Sequence, residues 1–197
     1  MNKSYSAACD KNREPILSVL KELYSDRKSI LEIGSGTGQH AVYFSQHLPH
    51  LTWYTSDLEK NHPDINLWLD EAALENLHRP VLLDVIQDIW PDLQVDAVFS
   101  ANTVHIMHWD EVEACFSGIG DLLQPGGLFA LYGPFNYGNT YTSESNASFD
   151  VWLKQGDPES GIRNFEDLDA LANQAGMWIM GDYEMPANNR LLCWEKK

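Results

Sequence analysis

The segment Leu31-Glu32-Ile33-Gly34-Ser35-Gly36-Thr37-Gly38 constrains this chain more than any other. A short apolar run, Ser29 to Ile33, reads as a β-strand leading straight into three glycines at alternate positions. Glycine lets a backbone turn sharply and approach a ligand closely. The helical pattern beginning at Gln39 brings its free N-terminal amides to the same place. Asp57 follows nineteen residues after Gly38, at the end of the next predicted strand. A carboxylate there is placed to accept both hydroxyls of a ribose.

The spacing separates some nucleotide folds and leaves others open. The loop G-x-x-x-x-G-K-[ST] that cradles phosphates is absent. Counted from Gly34, a dinucleotide fingerprint needs its third glycine where Gln39 stands. Counted from Gly36, the looser form is met by Gly36, Gly38 and Ala41, so spacing alone leaves NAD open. Charge discriminates further. Glu32, two residues before the first glycine, would repel a pyrophosphate but suits an ammonium or a sulfonium. That favours S-adenosylmethionine.

Along the chain, helical and extended periodicities alternate, as in an α/β domain. Asn12-Arg13-Glu14-Pro15 is expected to open a helix with Pro15 near its first turn. Strands are expected at Leu51–Ser56, Val81–Leu83, Val95–Ser100 and Leu128–Tyr132, with helices at Gln39–Leu48, Pro63–Asn76 and Asp110–Leu123. From Gly133 to Arg163 the pattern breaks into a stretch rich in Gly, Asn, Ser, Thr and aromatics, with one short helical piece at Ala147–Lys154. Loops that long are usually lids or binding loops. A helix at Phe165–Ala175 and a hairpin of Met177–Glu184 and Arg190–Glu195 complete the chain.

Composition narrows the partners. Apolar residues make up 44% and charged residues 21%, enough for a real core in one domain spanning residues 1–197. No apolar run is long enough to span a membrane, and no secretory leader pattern opens the chain, so the expected location is cytoplasmic. Acidic residues outnumber basic ones by 29 to 13, for a net charge of −16. Between Asp57 and Glu113, thirteen carboxylates face only Lys60 and Arg79. A nucleic-acid binder needs a basic face, so nucleic acids and anionic membranes are poor partners. Cys9, Cys115 and Cys193 lack the spacing of a disulfide framework or a zinc knuckle. The pair His105-x-x-His108 has no further ligand at a recognised spacing beyond Asp110, so no metal is expected.

With those residues in hand, the chain resembles class I S-adenosylmethionine-dependent methyltransferases. The resemblance rests on Leu31–Gly38, Asp57, Asp84 and the turn Leu123-Gln124-Pro125-Gly126-Gly127, and covers about residues 28–197. It implies a Rossmann-like seven-stranded sheet of order 3-2-1-4-5-7-6, strand 7 antiparallel, with helices on both faces. It also implies that Glu32, Gly34, Ser35, Gly36 and Gly38 line the cofactor. Asp57, with Leu58, would take the ribose hydroxyls, and Asp84, with Val85, the adenine amine. The segments Asn12-Arg13-Glu14-Pro15-Ile16, Asn102-Thr103-Val104-His105-Ile106 and Gly133-Pro134-Phe135 are similar to a small bacterial and animal family described only as methyltransferase-like, of unknown function. Ser145-Asn146, Phe149-Asp150 and Gly161-Ile162-Arg163 carry the same resemblance.

Asn102 and His105 follow strand four, where this fold exposes residues to the methyl group, and an imidazole there could take a proton from an acceptor. Asn12, Arg13, Tyr132, Phe135, Asn146, Asp150 and Arg163 are candidates for an acceptor pocket. Residues 1–27 and the insertion 134–163 are expected to close over it. The acceptor would be a small molecule or an accessible protein side chain. Two other readings stay open: an NAD-dependent oxidoreductase, and a module that binds S-adenosylmethionine without turnover.

Overall fold

A computed structural model describes residues 3–87 and 90–197. Seven of its strands hydrogen-bond in the order Leu77–Leu82, Thr52–Asp57, Ser29–Ile33, Ala97–Ala101, Leu128–Gly133, Asn189–Lys196, Met177–Met185, which is the expected arrangement with the last two in the places of strands 7 and 6. By their internal contacts the residues form two units, Met1–Ser100 and Ala101–Lys197.

The first unit holds α1 (Ala7–Leu23), β1 (Ser29–Ile33), α2 (Gln39–His47), β2 (Thr52–Asp57), α3 (His62–Ala72), β3 (Leu77–Leu82) and most of β4 (Ala97–Ala101). Strands β1, β2 and β3 run parallel, as do β1 and β4. Register sets Ile33 beside Ser56 and Ser100, and Asp57 beside Leu82, so these carboxyl ends share one edge. Phe44, Trp53 and Phe99 form the heart of the core, with ring centroids 5.4–6.0 Å apart.

Two elements depart from the sequence reading. Helix α1 starts at Ala7, not near Asn12, because the Ser6 hydroxyl caps it by accepting from the Cys9 amide. Pro15 therefore lies inside the helix, where its missing N–H leaves the Lys11 carbonyl without its usual donor. Strand β3 begins four residues early, at Leu77, and runs through Pro80. It is an edge strand, and an edge tolerates a proline whose missing donor would face outward.

The second unit holds α4 (Trp109–Leu122), β5 (Leu128–Gly133), β6 (Phe135–Asn136), α5 (Glu144–Gly156), β7 (Arg163–Asn164), α6 (Phe165–Gln174), β8 (Met177–Met185) and β9 (Asn189–Lys196). Strand β9 pairs antiparallel with both β5 and β8. Phe116, Phe129 and Trp194 pack together at 5.4–5.7 Å. The insertion is more ordered than its composition suggests. Its ends pair as the two-residue strands β6 and β7, and α5 is longer than the expected helical piece because Ser143 caps it three residues earlier.

Helix α4 meets α6 at Gly120. A Cβ there would lie 2.6 Å from the Ala175 carbonyl oxygen and 2.7 Å from its Cβ. Gly120→Ala is therefore expected to destabilise the protein by about 1–3 kcal/mol, the cost of overpacking, despite its better helix propensity. Denaturant unfolding of the two proteins measures it.

Candidate active site

The glycine loop at the end of β1 is left-handed at Gly34, Gly36 and Gly38, with φ of 71°, 60° and 85°. Gly38 has a second reason to be glycine, since a Cβ would stand 3.2 Å from the Ile65 Cα. At Gly36 a Cβ would meet only the Gly34 oxygen, 4.0 Å away, so that position opens onto free space. The Gly34 and Ser35 amides both donate to the Ser56 carbonyl at 3.0 Å, tying the loop to β2.

Asp57 ends β2 with its carboxylate largely buried. One oxygen accepts from the Gly36 amide at 2.7 Å, and the other from the Leu58 amide and Asn61 Nδ2, each at 2.7 Å. An ionised carboxylate has about four acceptor positions, so the oxygen on Gly36 keeps one for a ligand hydroxyl. Asn61 escaped the sequence reading. Its only signal was an amide side chain four residues after the acid. Leu58 is exposed beside it, and Asp84 and Val85 lie half-buried just past β3.

Glu32 is buried, with one oxygen accepting from Trp53 Nε1 at 3.0 Å and from Ser35 Oγ at 3.2 Å. Burial raises its pKa to about 7, against the opposing pull of those two donors. Its side chain thus orients the loop through Ser35. Trp53 as its partner was not legible in the sequence.

The structure places Asn12 and Arg13 on α1 facing α2. Asn12 Oδ1 accepts from His40 Nε2 at 2.7 Å, and the Arg13 guanidinium lies over Tyr43 and pairs with Asp10. His40 is held neutral, its pKa lowered to about 4 by burial and by Arg13. The segment before α1 is pinned by Gln39, whose amide accepts from the Ser6 N–H at 2.5 Å and donates to the Ser6 carbonyl at 3.3 Å.

In the second unit, Asn102 follows β4 in a left-handed conformation, φ 59°, and its amide donates to the Tyr132 carbonyl. A non-glycine residue there is uncommon, and asparagine tolerates it best. His105 is buried edge-on to Phe149, with Nδ1 unpartnered among the described residues. That nitrogen lies 3.8 Å from where a Gly133 Cβ would be. Burial first, then the Arg163 charge, lowers its pKa to about 4. His108 is separate and exposed, its Nε2 on Asp157. Tyr132 and Phe135 are core residues.

The other pocket candidates bond to the protein itself. Asp150 accepts from Ile162 N, Tyr141 Oη and Lys154 Nζ at 2.7, 2.7 and 2.6 Å. Asn146 donates to Thr142 Oγ1 and the Asn188 carbonyl. Arg163 gathers the Val104, Met107 and Glu159 carbonyls. Asp150 and Asn146 shape the insertion, and Arg163 fastens it to the turn carrying His105.

Residues 3–196 match a family described as "Protein of unknown function (DUF938)". The chain belongs to that family. The DUF938 chain shares its fold with the S-adenosylmethionine-dependent methyltransferase SibL, at TM-score 0.82 and 20% identity over 96% of this chain and 56% of SibL. An O-methyltransferase family 2 protein from Planctomyces limnophilus, in complex with apigenin, matches at TM-score 0.81 and 15% identity over 94% and 56%. PigF with SAH matches at 0.78 and 16% over 93% and 61%. The DUF938 chain therefore spans a little over half the length of these structures, and its fold is that of class I methyltransferases. Among the described residues no helix is long and apolar enough to cross a membrane.

Proposed function

We propose that this chain transfers the methyl group of S-adenosylmethionine to a small molecule or an accessible side chain. The observation that carries the reading is the left-handed loop Gly34–Gly38, closed by Asp57 on the Gly36 amide and backed by buried Glu32. The open space at Gly36 and the acids around it fit this ligand better than a pyrophosphate. Bound there, the cofactor would supply an electrophilic methyl carbon on a cationic sulfur.

Each residue then has a task. Glu32 offers negative charge to an ammonium or sulfonium. Asp57 takes a ribose hydroxyl, and Asp84 takes the adenine amine. His105, neutral at pH 7, offers a buried ring nitrogen to an acceptor that carries a proton. Being a weak base, it would hold that proton by a hydrogen bond rather than remove it beforehand. Most of the rate would come from alignment of nucleophile, methyl and sulfur. Nucleic acid is an unsuitable acceptor for a chain of net charge −16.

The test is thermal stability with S-adenosylmethionine, S-adenosylhomocysteine and NAD, followed by transfer of labelled methyl to fractionated small molecules and peptides. Stabilisation by the first two and a labelled product are expected. Stabilisation by NAD alone would return the oxidoreductase reading, and binding without any product would leave a module without turnover. A finer check is Asp84→Asn, which keeps an acceptor but loses its charge. It should weaken S-adenosylhomocysteine about fivefold, or about 1 kcal/mol, by calorimetry.

A further inference from the structure

We propose that the cleft at the corner of the β8–β9 hairpin binds a small organic cation carrying hydrogen-bonding groups of its own. The cleft lies within the second unit, has a volume of about 600 Å³, and is lined in part by Tyr137, Thr142, Glu184, Asn188, Asn189 and Arg190. That volume suits a small molecule. Register puts Arg190 opposite Gly133, so the cleft stands at the carboxyl end of β5.

Its floor is built with care. Ala187 and Asn188 are both left-handed, at φ 58° and 57°, although neither is glycine. Side chains hold them there. Asn189 Nδ2 donates to the Pro186 and Ala187 carbonyls, buried Asn146 donates to the Asn188 carbonyl, and Asn188 Nδ2 donates to Ser145 Oγ.

Charge selects the ligand. Arg190 is already engaged, with Nε 2.7 Å from Asp182 Oδ1 and Nη1 3.1 Å from Glu184 Oε1. The Tyr137 hydroxyl donates to the other Asp182 oxygen at 2.8 Å. Two carboxylates thus face one guanidinium. Asp182, outside the lining, offsets the Arg190 charge, so an incoming anion would meet the carboxylate that lines the cleft, Glu184, whose side chain is 89% exposed. A cation gains from the same excess, and the acidic chain draws cations from a distance. The ligand is organic rather than a metal ion. Among the described residues no group of three His, Cys, Asp or Glu could hold a metal, whereas Met185 and the Tyr137 ring offer contact to carbon.

The experiment uses three probes with one ring and different charge: tyramine, tyrosol and 4-hydroxyphenylacetate. Each is titrated into the full chain without cofactor, and amide shifts at Thr142, Asn188 and Asn189 are followed by NMR. Tyramine is expected to bind at least about fivefold more tightly than tyrosol, and the acid not at all up to about 10 mM. In Glu184→Gln, an exposed position that leaves the Arg190–Asp182 pair intact, the tyramine advantage should fall at least about threefold. Equal binding of the three, preference for the acid, shifts confined elsewhere, or no binding of tyramine would overturn the proposal. So would an unchanged preference in Glu184→Gln. Because no methyl donor is present, the outcome does not depend on methyl transfer.

Discussion

Asp57→Ala is expected to weaken S-adenosylhomocysteine binding by about tenfold to a hundredfold. The carboxylate is the only acceptor facing the Gly36 amide in the loop contacts described, and it also receives Leu58 N and Asn61 Nδ2. Hydrogen bonds to a charged group contribute about 1.5–3 kcal/mol each, so losing one to a ribose hydroxyl already accounts for the lower figure. Freeing the Gly36 amide loosens the loop and adds to the loss. Asp57→Asn should fall between, because an amide can keep one acceptor for Gly36 while its NH2 opposes the donors on the other side. Calorimetry on the three proteins gives the ranking. An alanine variant that binds as tightly as the parent would remove Asp57 from the cofactor site.

Glu32 carries the second large effect, on stability against pH. Its folded pKa of about 7 stands above the ordinary 4.5, so the folded protein favours the protonated form. The stability that goes with that preference is complete below pH 4.5 and is lost as pH rises through 7. Spread over that window, the loss is about 3 kcal/mol. Glu32→Gln keeps an acceptor for Trp53 and Ser35 but has no charge to bury. Relative to the parent it should therefore gain up to about 3 kcal/mol between pH 5 and pH 8. Denaturant unfolding at intervals of pH reads the difference, in which the other carboxylates cancel. Parallel curves would show that Glu32 is not the buried acid described. The same charge predicts that S-adenosylmethionine binding tightens as pH rises through 7, since a cation favours ionised Glu32.

The parts of this protein legible in its sequence are those governed by local periodicity and by glycine. The strand-loop-helix at Leu31–Gly38 could be read because three left-handed positions demand three glycines. The sheet order followed from resemblance. The start of α1 was misplaced because Pro15 looked like a first-turn residue, while Ser6, a weaker cue, supplied the cap. Strand β3 was cut short because Pro80 is disfavoured in most strands, and edge position cannot be seen locally. The insertion hid the most. Asn146, Asp150 and Arg163 read as groups awaiting a ligand, yet each meets main-chain partners distant in sequence, up to 59 residues away for Arg163 and Val104. Nor could the Trp53–Glu32 bond be foreseen, for it joins neighbouring strands through side chains alone.

The central place of β9 has a consequence for synthesis. A ribosome emits β5 and β8 before residues 189–196, yet β9 is the neighbour that β5 and β8 share. Until those eight residues emerge, β8 has no strand partner among the described residues, and the backbone N–H and C=O groups that β5 and β8 turn toward β9 stand open. Unpaired strand edges invite association with other chains. The nascent second unit therefore passes through a sticky interval that β9 closes, and a stall or truncation before residue 189 should yield aggregates rather than a shortened fold.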